Sequence, residues 1–399
     1  MMQNIIKSIS GILLIMGTAI GAGMLALPVV TGLAGFIPAV AINLICCLFM
    51  TATGLLFLEA ILWMNDGVNL LTLTHHFLGK WGRFIACISF LLLYYCLEVS
   101  YCSGGAPVFS KVIDQAFGMQ IVGTSMYIIF ALVFGFLVFC GPTTVDRINW
   151  VLMAGFLITF FLLIKAGSSE VQTELLQRTD WKLSLIATPV LFGAYGYHNI
   201  LPSLSSYMKR NVRSLRIAII TGSLLSFTIY SVWQWMIIGT LPLKDILGAD
   251  IRGEPITQTL QNVVGYPLLV RFGEYFGFFA LVTSFLGVSL SMVDFLADGL
   301  KVQRTGWARM ALCLAVFVPP AVFAAINPGV FIEALGVAGG FGEAILNGLL
   351  PIAIVWVGRY WMLLPSQYAL FGGRLMLVGL TLFTLLIMAV EAHHLFFAA

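Results

Sequence analysis

Gly17-Thr18-Ala19-Ile20-Gly21-Ala22-Gly23-Met24-Leu25-Ala26-Leu27-Pro28 lies inside an apolar run from about Ile9 to Val30. That run is long enough to cross a bilayer, which takes roughly 20 residues. Its centre is a poor helix, because three glycines fall within seven residues and a proline follows; each interior glycine costs about 1 kcal/mol of helix propensity. Non-helical backbone survives at membrane depth only where protein buries it or where it lines a cavity. The stretch therefore reads as a span broken near Gly21-Ala22-Gly23, with its freed N–H and C=O groups turned toward a ligand. The competing reading is a row of small residues packed against a neighbouring helix.

The rest of the chain supports a membrane setting. Of 399 residues, 60% are hydrophobic and only 9% are charged, against about 25% charged in soluble domains. No stretch suggests a separate soluble domain, and a net charge of +3 is no nucleic-acid footprint. The seven cysteines lie in or beside apolar runs without CxxC spacing, so they read as small core residues and not as a metal site or disulfide framework. Lys7 followed by an apolar run imitates a signal peptide, but the run is too long and no small-residue cleavage site follows it.

Hydropathy predicts eleven spans, at about 8–31, 36–63, 84–110, 121–141, 148–166, 184–207, 214–240, 271–299, 307–326, 329–358 and 373–397. Leu70, Leu71, Leu73 and Phe77 suggest an amphipathic surface helix in the 64–83 connection, and a short helix is expected near Pro255–Val264. With the N-terminus cytoplasmic, 13 lysines and arginines fall inside and 7 outside, which fixes the orientation and puts the C-terminus on the periplasmic side. Trp63, Trp81, Trp150, Trp307, Trp356 and Trp361 fall near inner span ends, as an aromatic belt requires.

A second interrupted span appears five spans later, in Thr188-Pro189-Val190-Leu191-Phe192-Gly193-Ala194-Tyr195-Gly196-Tyr197-His198-Asn199-Ile200-Leu201-Pro202. Two interrupted segments at matching places in halves of opposite topology point to an inverted-repeat transporter. The repeats would be about 8–166 and 184–358, with 373–397 an added helix, all in one transmembrane domain. Such a protein holds its substrate between the breaks, with half-helix N-termini facing a carboxylate and exposed carbonyls facing an ammonium or cation. Gly21, Ala22 and Gly23 would offer N–H groups, and the carbonyls of Thr18, Ala19, Leu191 and Phe192 would face the amine. Phe192, Tyr195 and Tyr197 would line a side-chain pocket, or else simply pack. A zwitterionic amino acid fits this pair of needs, and no cofactor is called for.

Ionisable groups at the bilayer centre are costly and default to function or pairing. Glu98, Glu343 and His198 lie mid-span. Glu59, Asp294 and Asp298 sit nearer the inner ends, Asp298 close to Lys301. Thr283 and Ser284 lie at about the depth of Gly21; their hydroxyls would ligate a cation or, as is commoner, bond their own helix. The fifth span offers only Lys165, at its outer end, so no lysine ammonium replaces a coupling ion. That leaves a sodium site at Thr283 and Ser284 or a proton on a carboxylate. Glu98 stands first, since it shares a span with Tyr101 and lies near the depth of the site, and Glu343 follows. No HExxH, GxSxG or paired catalytic aspartates appear, which argues against an intramembrane enzyme.

The first stretch, together with Gly196-Tyr197-His198-Asn199-Ile200-Leu201-Pro202-Ser203-Leu204-Ser205-Ser206-Tyr207-Met208 and with Thr283-Ser284-Phe285-Leu286-Gly287-Val288 and Asp294-Phe295-Leu296-Ala297-Asp298, resembles the hydroxy and aromatic amino acid permease family, its tyrosine permeases first and its tryptophan permeases next. The likeness runs over essentially the whole chain. It implies an eleven-span bacterial inner-membrane carrier of the leucine-transporter type of fold, taking up an aromatic amino acid by proton symport; a sodium-coupled carrier of the same fold is the alternative. The sixth span departs from the family pattern, which has phenylalanine where this chain has Tyr195 and Tyr197. The extra hydroxyls leave tyrosine, tryptophan and phenylalanine unranked as substrates.

Overall fold

In the computed structural model, residues 2–263, 267–365 and 368–397 are described. Among them every regular element is helical. The first apolar run forms α1 (Met2–Ala19), breaks, passes through a short 3-10 turn (Ala22–Leu25) and resumes as α2 (Leu27–Gly32). The two halves are bent by 52°. Pro28 sits in the first turn of α2, where its missing N–H has no intrahelical partner to lose. The proline thus starts the second half-helix.

Next come α3 (Phe36–Trp63) and α4 (Leu70–Phe117). Asn69 caps α4 by accepting a hydrogen bond of 2.9 Å from the Thr72 amide. Gly79, at φ +69, interrupts the helix and sets its first nine residues apart from the crossing. Leu70, Leu73 and Phe77 are buried there while His75 and His76 are exposed, which is the amphipathic surface segment expected from the sequence. After α5 (Thr124–Cys140), α6 (Pro142–Gly167) and a short α7 (Thr173–Leu176) comes the second break. Here α8 (Thr188–Ala194) stops, Tyr195–Tyr197 is irregular, a 3-10 turn covers His198–Ile200, and α9 (Leu201–Tyr207) resumes. Pro202 occupies the first turn of α9, repeating the role of Pro28.

The second half continues with α10 (Val212–Thr240), α11 (Leu243–Arg252) and α12 (Ile256–Val263). The last of these is the short helix expected near 255–264; Val264 lies outside the described residues, and α11 was not foreseen. Then follow α13 (Pro267–Leu300) and α14 (Gly306–Ile326). A single crossing from Phe331 to Trp361 begins as α15 (Phe331–Val337), widens into a π-helix over Ala338–Leu349, returns as α16 (Leu350–Trp356) and closes with a π turn. The helix α17 (Gly373–Phe397) ends the chain. Eight of these helices are long and apolar enough to span a membrane, and the bent pair α1–α2 makes a ninth; α5, at 17 residues, is a shorter apolar helix.

Packing is tightest where glycines let backbones meet. A Cβ on Gly339 would stand 1.9 Å from the Pro189 carbonyl oxygen and 2.8 Å from the Gly193 nitrogen, so the π-helix lies directly on α8. Close approach of small residues is the main way helices associate in lipid. Trp81, Trp150, Trp307 and Trp361 project outward, as belt residues do. Glu59, Asp294 and Asp298, near the ends of their spans, pair with arginines. Arg359 donates to Glu59 at 2.8 Å and 2.5 Å. Arg304, and not Lys301, bridges Asp298 at 2.5 Å and Asp294 at 3.2 Å; Arg304 lies six residues after Asp298, beyond a chain reversal at Lys301 (φ +56).

Candidate functional site

Between the two breaks lies a cavity of about 330 Å3, walled by Gly17–Gly21 and Gly23 on one side and by Gly193, Ala194 and Gly196 on the other. This is at the small end of ligand pockets, about 300–1,000 Å3. Both breaks face it with backbone and almost no side chain, which is what glycine and alanine at these places allow. Gly21 is extended (φ −156, ψ −153), a conformation open to any residue. What disfavours a side chain is space, since a Cβ would meet Ser284 Oγ at 2.6 Å and would have to displace that hydroxyl. The Ala22 amide donates to that same Ser284 Oγ at 2.9 Å. Among the described residues the Gly21 and Gly23 amides have no backbone acceptor at the break, so they are the donors left for an anionic ligand group. Ser284 also interacts with the Tyr101 hydroxyl, and both residues line the cavity.

The last carbonyls of the two first half-helices converge on a residue that the sequence reading missed. The Tyr230 hydroxyl, on α10, lies 2.7 Å from the Ala19 carbonyl and 2.7 Å from the Ala194 carbonyl. A phenol has one proton, so it satisfies one of them at a time. Trp233 Nε1 donates to the Met24 carbonyl at 2.9 Å, and Gln234 Oε1 accepts from Thr31 at 3.2 Å. Positions 230, 233 and 234 share one helix face. That polar i, i+3, i+4 stripe in an apolar helix was the available signal.

Glu343 stands on the cavity wall in the middle of the π-helix. Asn347 donates to its Oε2. A Cβ on Gly196 would fall within 2.8 Å of the Glu343 carboxyl carbon, so the second break has room for this carboxyl only because residue 196 is glycine. Tyr94, Asn199 and Asn347 complete a polar corner, and Tyr94 hydrogen-bonds with Asn199. π-turns inside α-helices gather at functional sites.

Other candidates lie elsewhere. Glu98 is fully buried, accepts from Ser289 at 2.8 Å and is absent from the cavity wall. Leu191, Phe192, Tyr195 and Tyr197 have no exposed surface. Tyr195 donates to Asn43 Oδ1 at 2.7 Å and Tyr197 to the Met50 carbonyl at 3.0 Å. His198 meets Thr53 at 3.0 Å and stacks on Tyr197. The second break's aromatic side chains thus point away from the cavity and into the contact with α3. Thr18 and Thr283 line the cavity, but each hydroxyl bonds its own helix, Thr18 to Leu14 at 2.8 Å and Thr283 to Phe279 at 2.8 Å. Among the described residues no group of three or more His, Cys, Asp or Glu could hold a metal ion.

The cavity joins a wider one of about 710 Å3 that shares Leu70, Phe90, Tyr94, Asn199, Ile200 and Ser291 and reaches Gly67, Ser203 and Asp298. The opposite face is covered by the 168–187 connection. There Arg178 donates to the Gly32 and Leu33 carbonyls and the Asp180 amide to Ala34 at 2.7 Å.

Comparison with known proteins agrees with this geometry. The profile of the tryptophan/tyrosine permease family matches residues 4–391. The chain belongs to that family. Two tyrosine-specific transport systems of Haemophilus influenzae are each 33% identical to it, one over 93% of both chains and the other over 98% of this chain and 97% of its own. A tryptophan-specific transport protein of the same organism is 30% identical over 95% of this chain and 94% of its own. A crystal structure of the Eremococcus coleocola manganese transporter superposes with a TM-score of 0.64 over 97% of this permease and 85% of that chain, at 15% identity. At that identity the likeness concerns the fold alone: an all-α, multi-pass membrane protein of leucine-transporter type, broken in its first and sixth spans. The relatives are permeases and transport proteins, so this is a transporter and not an enzyme.

Proposed function

We propose that this permease imports an aromatic amino acid across the bacterial inner membrane by proton symport, alternating access to the cavity between its two breaks. The observation that carries this reading is the makeup of the cavity wall. Free amides of Gly21 and Gly23 meet the substrate carboxylate, the Ala19 and Ala194 carbonyls meet its ammonium, and one carboxyl, Glu343, stands within the same cavity. The names of its relatives support an aromatic substrate, tyrosine first and tryptophan next. Phe90, Tyr94 and Leu97 supply ring contacts, while Asn199 and Asn347 offer partners to a phenol hydroxyl or indole N–H.

Glu343 is the better proton carrier than Glu98 because a proton bound at the cavity wall is sensed directly by the substrate. The sodium alternative is weakened by its ligands. The Ser284 oxygen already accepts from Ala22, and the Thr283 proton is spent on its own helix. With the N-terminus inside, the wide vestibule faces the cytoplasm and the Arg178 connection seals the periplasmic side, which is an inward-facing state. The test is uptake of labelled tyrosine, tryptophan, phenylalanine and serine into proteoliposomes under imposed pH or sodium gradients. Saturable aromatic uptake driven by an inward proton gradient is expected; uptake that follows sodium alone overturns the coupling.

A further inference from the structure

The helix α17 lies outside both repeats, and only 22% of its most apolar stretch is buried within the protein. Yet it carries a carboxyl, Glu391, that is 3% exposed. A cradle receives it. A Cβ on Gly336 would stand 2.8 Å from Glu391 Oε1 and 3.1 Å from Oε2, and one on Gly340 would stand 2.6 Å from Glu391 Cβ. Glu391 Oε1 is buried and has no hydrogen-bond partner. An ionised carboxylate with one buried oxygen left without a partner is costly at such a place, and protonation removes that charge.

The surroundings place Glu391 near exposed polar residues on one side and beside the transport-site crossing on the other. It sits six residues from the end of α17, about 9 Å along the helix axis. His394, one turn further on, is exposed and interacts electrostatically with Asp250 of α11, whose carboxyl burial pushes above its usual range. Among the described residues, Glu333, exposed at the start of α15, and Cys96 of α4 are titratable groups that interact electrostatically with Glu391 from other helices. On the inner side, Gly336 and Gly340 belong to the crossing that presents Glu343 to the cavity three residues later.

We propose that Glu391 is a second proton-binding site of this transporter, reached from the face that carries His394 and Glu333, and that its occupancy sets how α17 seats on Gly336 and Gly340 and so how the π-helix holds Glu343. A proton from water on that face converts the carboxylate to the acid on Oε1 and returns by the same route. No other bond changes. The coupling to transport rests on the proton-symport reading above; the proton-binding site itself does not.

Two measurements keep these apart. The first is the pH-induced infrared difference spectrum of the protein in liposomes. A carboxylic-acid band that titrates in the wild type is expected to vanish in Glu391→Gln, to persist in Glu343→Gln and to return, shifted, in Glu391→Asp. The same band in wild type and Glu391→Gln would overturn the site. If Glu391→Gln does not fold, the Asp variant decides, because an unshifted band there overturns the site equally. The second is tyrosine uptake against pH. Glu391→Gln is expected to keep exchange but to lose part of the pH dependence of net uptake; an unchanged pH profile would overturn the link to Glu343. Absence of any aromatic uptake in the wild type would count against the functional reading and leave the infrared result standing.

Discussion

The two breaks solve one problem with opposite residues. The first is made mostly of small ones: Gly17, Thr18, Ala19, Gly21 and Gly23 face the cavity, together with Ile20. The second is flanked by Phe192, Tyr195, Tyr197 and His198, none of which reaches the cavity. Their hydroxyls and ring nitrogen bond to Asn43, Met50 and Thr53 on α3. The first break is open because three of its residues are glycine and one is alanine, and the second is held open because its aromatic side chains are anchored elsewhere. Both breaks turn backbone toward the cavity, and under the proposed function the bulky aromatic residues of the second break belong to support.

The largest effect expected from this contrast is at Gly21. A β-branched residue there drives into Ser284, and overpacking of this kind costs about 1–3 kcal/mol or more, which corresponds to a loss of roughly 5–150-fold in affinity. Gly21→Val is therefore expected to weaken tyrosine binding in detergent by about that factor. Gly23→Ala, whose Cβ would find its nearest atom at an ordinary 3.6 Å, should bind almost as the wild type does. Equal losses in both would break the steric argument.

Next in size is Tyr230→Phe. It removes the donor that the Ala19 and Ala194 carbonyls share, and an unsatisfied buried acceptor costs about 1–3 kcal/mol. A substrate ammonium supplies that donor again. The variant should melt earlier than the wild type without substrate and gain a larger thermal shift on adding tyrosine. A shift no larger than the wild type's would mean that the ammonium does not use these carbonyls.

The smallest effect is expected at Tyr195 and Tyr197. If either hydroxyl contacted the substrate, the double phenylalanine variant would change tyrosine-over-phenylalanine discrimination steeply, since a site that hydrogen-bonds a hydroxyl rejects the analogue lacking it by up to about 10⁴-fold. With both hydroxyls committed to α3, competition binding should show the ratio unchanged to within about twofold. A large shift would return these tyrosines to the pocket.

The elements legible in the sequence were those whose local chemistry is self-contained. Glycine clusters and prolines marked both breaks, since backbone freedom and the first-turn preference of proline act within a few residues. The amphipathic spacing of Leu70, Leu73 and Phe77 marked the surface segment in the same way. Distances between helices were not legible. Tyr195 and Tyr197 adjoin the second break in sequence yet turn from the cavity, because their hydroxyls find partners on α3, a helix about 150 residues earlier in the chain. Glu98 and Glu343 looked alike as mid-span carboxyls; only packing against Gly196 distinguishes Glu343. Glu391 went unnoticed because the glycines that cradle it lie some fifty residues upstream.

The central claim is that the cavity between the breaks couples substrate to a proton on Glu343. The direct measurement is accumulation of labelled tyrosine by proteoliposomes under an inward proton gradient, with exchange at equal pH as control, in Glu343→Gln and Glu98→Gln. Glutamine at 343 keeps an acceptor for Asn347 but cannot titrate. Glu343→Gln is predicted to exchange tyrosine and fail to accumulate it, while Glu98→Gln retains accumulation. Full pH-driven accumulation in Glu343→Gln would contradict the account.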